Sequence, residues 1–164
     1  MVNLKIEHCL RLILLISIIS IISAYFIEYA LGHQPCNLCL IERVPYILSI
    51  VLIIINFKFK KSEKFIILLL ILIFIFSFLV SVYHFGIEQG FFEESSLCTL
   101  KDNSNIISKE ELLKILNEKT ISCKDVTFRI FGLSLTSVNI FINLIIITIL
   151  IKIYNTYEKI KSSS

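Results

Sequence analysis

Four apolar runs restrict what this chain can become more than any other feature. They are roughly Leu10–Ala30, Leu40–Phe57, Phe65–Tyr83 and Leu133–Ile151. Each comes close to the about 20 residues that a helix needs to cross a hydrocarbon layer about 30 Å thick. In lipid the backbone must satisfy its own polar groups, so runs of this kind are driven to helix whatever their local propensity. A soluble domain would carry about 25% charged residues; here 18% of 164 residues are charged and 56% are hydrophobic. The connections leave no length for a separate soluble domain. The sequence therefore predicts an all-α membrane protein, a bundle of four transmembrane helices forming one integral domain over residues 1–164. The net charge of +3 reflects where basic residues flank the spans and tells nothing about nucleic acid; membrane lipid is the expected surrounding, and no nucleic acid partner is expected. Lys5 and Arg11 precede the first run as in a signal peptide. That run, however, exceeds the 7–15 residues of a signal h-region, and Ile22-Ser23-Ala24 is a poor cleavage site, so an uncleaved first span is expected.

Orientation follows from lysine and arginine in the short connections. The N-terminal flank has Lys5 and Arg11, the second connection Lys58, Lys60, Lys61 and Lys64, and the tail Lys152, Lys159 and Lys161. The first connection, Leu31 to Pro35, has neither residue type. Both termini are thus expected in the cytoplasm, with the connections at about 31–39 and 85–132 on the opposite side. The long connection holds eight acidic and six basic residues, which does not conflict with export. Within it Ser108 and Glu111 form a capping box, and Ile107, Leu112, Leu113, Ile115 and Leu116 follow at largely helical spacing. A short amphipathic helix is expected there, lying on the membrane surface or packed on its own loop.

The outward connections hold four of the five cysteines: Cys36 and Cys39 in a CxxC pair, then Cys98 and Cys123. Exported cysteines in even number usually pair, so two structural disulfides are the plain alternative. A CxxC bridge closes too small a loop to restrain an unfolded chain much, which favours redox chemistry for Cys36–Cys39. A helix N-terminus and a nearby cation lower a thiol's pKa. Cys39 is expected at the start of the second span with Arg43 one turn on, so a thiolate at Cys39 would be stabilised by both. A Cys₄ metal site would need four reduced thiols in an oxidising compartment, and no metal is expected. Cys9 has no partner on its side and is expected to be a packed, inert thiol.

Glu42 and Arg43 open the second span and His84 closes the third, at the same expected depth as the CxxC. Ionisable residues inside spans default to functional candidates, although Arg43 could simply snorkel and Glu42 simply pair with it. An acceptor meeting thiols at this depth could arrive sideways through the bilayer, as a quinone would.

Together these residues resemble the disulfide bond formation protein B (DsbB) family. The likeness is carried by Tyr25-Phe26-Ile27-Glu28-Tyr29-Ala30-Leu31-Gly32 followed by Pro35-Cys36-Asn37-Leu38-Cys39-Leu40-Ile41-Glu42-Arg43. It continues in Tyr83-His84-Phe85-Gly86-Ile87-Glu88-Gln89-Gly90 leading to Cys98, and in Phe131-Gly132-Leu133-Ser134-Leu135 after Cys123. The resemblance implies a bacterial inner-membrane enzyme with one long periplasmic loop. Such an enzyme reoxidises a DsbA-like thioredoxin-fold protein and passes electrons to ubiquinone or menaquinone. It implies that Cys98 takes the mixed disulfide with the partner, Cys123 exchanges with Cys36, and Cys39 faces the quinone, with Arg43 and His84 near its headgroup. Two runs depart from the family pattern. Phe91-Phe92 stands where a Trp is common, and Thr136-Ser137-Val138-Asn139 replaces a Met-Pro-x-Trp-Asn type of run. Vitamin K epoxide reductase-like enzymes share four spans and CxxC but place the pair late in the chain. A reductant conduit would carry electrons the other way through more spans, and a non-enzymatic four-span scaffold would hold permanent disulfides.

Overall fold

The computed structural model describes residues 2–59, 63–93, 98, 122–124, 129–130 and 132–162. The expected amphipathic helix after Ser108 lies outside the described residues. Four long helices account for most of the fold: α1 (Val2–Tyr29), α2 (Asn37–Lys58), α3 (Glu63–Glu88) and α4 (Leu135–Ser162). Ahead of α4, the strands β1 (Arg129–Ile130) and β2 (Leu133–Ser134) pair antiparallel, Arg129 opposite Ser134. All four helices contain stretches long and apolar enough to cross a membrane: Ile6–Tyr29, Asn37–Lys58, Glu63–Glu88 and Leu135–Lys159. The four-span, all-α membrane architecture is thus the observed one.

Two of the boundaries that differ from expectation matter for the site. The third helix runs past Tyr83 to Glu88, so His84 and Glu88 lie one turn apart on a continuous helix. It ends in a turn where Gly90 takes a φ of +77° and the Phe91 N–H bonds back to the Gly86 carbonyl at 2.8 Å, the left-handed helix ending that glycine allows. That turn folds Phe92 onto Tyr83, with ring centroids 5.6 Å apart. Gly86 leaves room for the Phe92 ring, which a Cβ there would overlap. The fourth span begins at Leu135 rather than Leu133, because Leu133 and Ser134 belong to the small hairpin.

The bundle is apolar outside and partly polar inside. Ile19, Ile22, Phe26, Phe65, Leu72 and Ile145 are exposed, which suits a lipid-facing surface. Ile13, Ile53, Leu70, Phe74, Ile146 and Leu150 fill the centre. Among them Ser17, Ser49, Ser77, Ser81 and Asn143 are buried too. The Ser17 and Ser49 hydroxyls meet at 3.0 Å between α1 and α2. Asn143 on α4 accepts from the Tyr46 hydroxyl at 3.2 Å and the Ser77 hydroxyl at 3.3 Å. Between spans the hydrophobic effect gives little drive, so such hydrogen bonds and close packing hold the helices. Helix α3 packs against α4 and α2, α1 packs against α2, and α1 touches α4 more sparsely.

Candidate redox site

The C-terminal ends of α1 and α3 meet the N-terminal ends of α2 and α4, and Cys36, Cys39, Cys98 and Cys123 gather there. Cys36 is the N-cap of α2, its Sγ accepting the Cys39 N–H at 3.3 Å. Cys39 sits in the first turn, and the two sulfurs are 2.6 Å apart. Both are unbonded thiols. Cys98 and Cys123 are joined in a disulfide, with Cα atoms 5.9 Å apart. Cys36, Cys98 and Cys123 are buried in one cluster with Leu38 and Ile87, and the Asn37 side-chain amide donates to the Cys98 carbonyl at 3.2 Å. The pairing of Cys98 with Cys123 removes the Cys₄ metal set weighed from the sequence. Cys36, Cys39 and His84 do bring their sulfur and nitrogen atoms within 4.8 Å of one another, a gathering that also suits thiol chemistry with a base beside it.

A hydrogen-bonded chain leads away from the CxxC. His84 Nε2 lies 3.5 Å from Cys36 Sγ, and its Nδ1 lies 3.1 Å from Glu42 Oε1. The second Glu42 oxygen accepts from the Asn139 amide at 2.9 Å, and that amide also reaches Ser81 Oγ at 2.8 Å. Thr136 on α4 donates to Glu88 Oε1 at 2.5 Å and stands 3.5 Å from His84 Nδ1. All of this is at the thiol end, where α2, α3 and α4 converge.

Two contacts differ from the sequence-based expectation. Glu42 does not pair with Arg43; it is drawn inward to His84 and Asn139. Arg43 instead bonds Glu28 of α1 at 2.6 Å and covers the Tyr25 ring at 5.0 Å from its centroid. The thiol whose surroundings favour ionisation is Cys36. The Cys39 S–H, donated to Cys36, pulls the Cys36 thiol from 9.0 down to about 5, assisted by His84 and opposed by burial. The reason is the cap position. A sulfur at the N-cap receives donors from the first turn, whereas one inside that turn faces its own helix.

Beside the thiols a cavity of about 300 Å³ runs between α1 and α4. Ile19, Ala24 and Ile27 of α1 and Val138 and Ile142 of α4 form its apolar walls, and Cys36, Cys39, Arg43, His84, Glu88 and Cys123 reach its other end. Thr136, Val138 and Asn139, from the run that departs from the family pattern, line it as well, so a fourth wall exists without the Trp. Sequence reasoning singled out all four cysteines, Arg43 and His84, and the structure brings all six to this one place. It passed over Glu88, whose i+4 spacing from His84 was the available signal. It also passed over Glu28, visible only as the single charge between Leu12 and Ala30.

A four-span membrane bundle that presents two adjoining cysteine pairs at one end defines a membrane thiol–disulfide oxidoreductase. The match to a known family agrees: residues 7–153 fit the model of "Disulfide bond formation protein DsbB". The chain belongs to that family, whose members are disulfide-generating membrane oxidases. It is also similar to Uncharacterized protein RP370 of Rickettsia prowazekii (strain Madrid E), 30% identical over 149 residues that cover 86% of this chain and 84% of the relative. No solved structure matches the chain.

Proposed function

We propose that this protein is a quinone-linked oxidase of the bacterial inner membrane that regenerates the disulfide of a periplasmic, DsbA-like thioredoxin-fold protein. Both termini would be cytoplasmic and the thiol end periplasmic. One observation carries the reading: the Cys98–Cys123 disulfide and the unbonded CxxC pair share one buried cluster, on the wall of an apolar cavity between spans. Adjoining pairs can exchange, and a pair lining such a cavity can meet a lipid-soluble acceptor.

Exchange proceeds by thiolate attack on a disulfide sulfur, and a thiol of low pKa leaves fastest. A partner thiolate attacks Cys98 Sγ, releasing Cys123. The partner's second thiol then displaces Cys98, so the partner leaves oxidised and Cys98 and Cys123 remain as thiols. Cys123 next attacks Cys36 of an oxidised CxxC and expels Cys39. Cys98 closes on Cys123 and expels Cys36, a favourable leaving group because its thiol is held down to about 5. The relay has then moved two electrons to Cys36 and Cys39.

The cavity fits a quinone by the chemistry of its lining, with apolar side chains along the spans and polar ones at the thiol end. Cys39 faces it, and Arg43 and His84 would hold the headgroup. When bound, a quinone supplies a sink for two electrons and two protons. The chain's own part is to place the thiols against that headgroup, to exclude water with α1 and α4, and to receive the Cys36 proton at His84 Nε2.

Two measurements test this. The reduced protein, purified without quinone and kept anaerobic, should convert Cys36 and Cys39 from alkylatable thiols to a disulfide when ubiquinone or menaquinone is added. Unchanged thiols would return both pairs to a structural role. The Cys123→Ser variant should accumulate Cys98 in a mixed disulfide with the periplasmic partner, and absence of that adduct in acid-quenched cells would remove Cys98 from the partner-facing role.

A further inference from the structure

We propose that Glu88 is a further catalytic residue of this site, giving a proton from its Oε2 to the acceptor bound in the cavity, with Thr136 as its positioning residue. The proposal rests on the quinone reading above. Glu88 ends α3 one turn after His84, and its side chain is only 6% exposed. Thr136 holds Oε1 by a 2.5 Å hydrogen bond, and His84 Nε2 stands 4.0 Å from the same oxygen. Oε2 is buried and has no hydrogen-bond partner among the described residues, yet Glu88 lines the cavity. A buried polar atom left unpaired is costly, and in native structures it usually has a use. Glu42, the other buried acid here, has none to spare: one oxygen faces His84 and the other accepts from Asn139. Only Glu88 keeps an oxygen that an O–H group could aim at a ligand.

The chemistry needs such a group. Reckoned from the two thiols, closing the Cys36–Cys39 disulfide releases two electrons and two protons, the Cys36 proton leaving first as that thiol ionises, and reduction of a quinone to its hydroquinone consumes both. The two quinone oxygens lie on opposite sides of the ring, so one donor cannot serve both. The Cys36 proton passes to His84 Nε2. Glu88 gives its Oε2 proton to one quinone oxygen, the carboxylate takes the His84 proton at Oε1 across 4.0 Å, and a half-turn of the carboxyl group returns it to Oε2. The Cys39 proton goes to the other oxygen across the cavity that Cys39 lines. His84 and Glu88 end as they began, and the products are one disulfide and one hydroquinone.

The test uses wild type, Glu88→Gln, Glu88→Asp and Thr136→Val, each accepted as folded when its Cys98–Cys123 disulfide is intact. Time-resolved infrared difference spectra of the reduced protein mixed with decylubiquinone should show a transient carboxyl band that Glu88→Gln lacks. Decylubiquinone binding, measured in a Cys36→Ser/Cys39→Ser background so that nothing turns over, should change less than threefold in Glu88→Gln. Single-turnover formation of the Cys36–Cys39 disulfide should slow by roughly 10²- to 10⁴-fold, the usual range for general acid catalysis. Glu88→Asp should recover part of that loss, and Thr136→Val should lose less than Glu88→Gln. A wild-type rate in Glu88→Gln, a loss matched by equally weakened binding, or no carboxyl band assignable to Glu88 would each overturn the proposal. A wild type that neither binds nor is oxidised by decylubiquinone would sink the quinone reading itself, and this proposal with it.

Discussion

At the scale of single residues, Arg43 and Cys36 show how neighbours assign roles that residue type leaves open. Arg43 is held by Glu28 and Tyr25 with its side chain only 12% exposed, so it is fixed at the cavity rather than floating among headgroups. Arg43→Ala should raise the apparent KM for quinone about 10- to 100-fold, the loss of one charge-assisted contact at roughly 1.5–3 kcal/mol. Arg43→Lys should recover part, since the charge returns without the planar fork. The Ala variant also leaves Glu28 unpaired, so rates must be normalised to folded protein; identical quinone titrations would make the arginine purely structural. Cys36 carries the pH prediction. Its thiol is lowered from 9.0 to about 5, so iodoacetamide should modify it at a near-constant rate from neutral pH down to about 6 and slow as pH falls through about 5. Because the folded value is the depressed one, the matching stabilisation of the reduced protein is fully present above 9.0 and disappears as pH falls to about 5. Alkylation that falls off near the ordinary thiol value would contradict the N-cap assignment.

At the scale of elements, α4 ties the bundle to the site. Asn139 joins Glu42 of α2 and Ser81 of α3, and its carbonyl oxygen accepts from the Tyr46 hydroxyl at 2.5 Å. Replacing Asn139 by Leu keeps the bulk and strands Glu42 Oε2, while the Tyr46 hydroxyl keeps only its longer bond to Asn143. Interhelical hydrogen bonds in membranes contribute about 0.6–2 kcal/mol, and an orphaned buried partner adds about 1–3 kcal/mol. Asn139→Leu should therefore lower the detergent-unfolding stability by about 1–3 kcal/mol, whereas Thr148→Val, an exposed change on the same helix, should leave it within about 0.5 kcal/mol. Equal stability of the two variants would mean that α4 docks through its apolar contacts alone.

For the whole molecule, the proposed function would couple an aqueous reaction to a lipid-soluble one at a single membrane face. Cys98 and Cys123 are 6% and 2% exposed, so a partner of the proposed kind would need this disulfide to move outward from the CxxC. A membrane-impermeant maleimide applied to intact spheroplasts should label neither cysteine before reduction and both after it. Cys9, near the N-terminus of α1 and packed against the central core, should stay unlabelled. Labelling of Cys98 and Cys123 only from the cytoplasmic side would reverse the orientation and remove the periplasmic partner.

The sequence alone determined the four spans and the gathering of thiols. Apolar runs of spanning length permit little besides helices, and four helices with short first and second connections return Cys36, Arg43 and His84 to one end. It also determined that this end carries redox chemistry, because a CxxC pair has little value as a brace. What it could not determine was which neighbour each polar group would choose. Glu42 and Arg43 are adjacent in the chain, but on a helix they point about 100° apart, so one meets His84 inside the bundle and the other meets Glu28 on α1. The role of Glu88 depended on α3 running one turn further than its apolar stretch, and on a threonine 48 residues away along the chain. The choice of Cys36 as the ionised thiol followed from where α2 begins, since the cap position gathers the donors of the first turn. These are pairwise contacts between helices, and periodicity along one helix carries no information about which side chain stands opposite on the next.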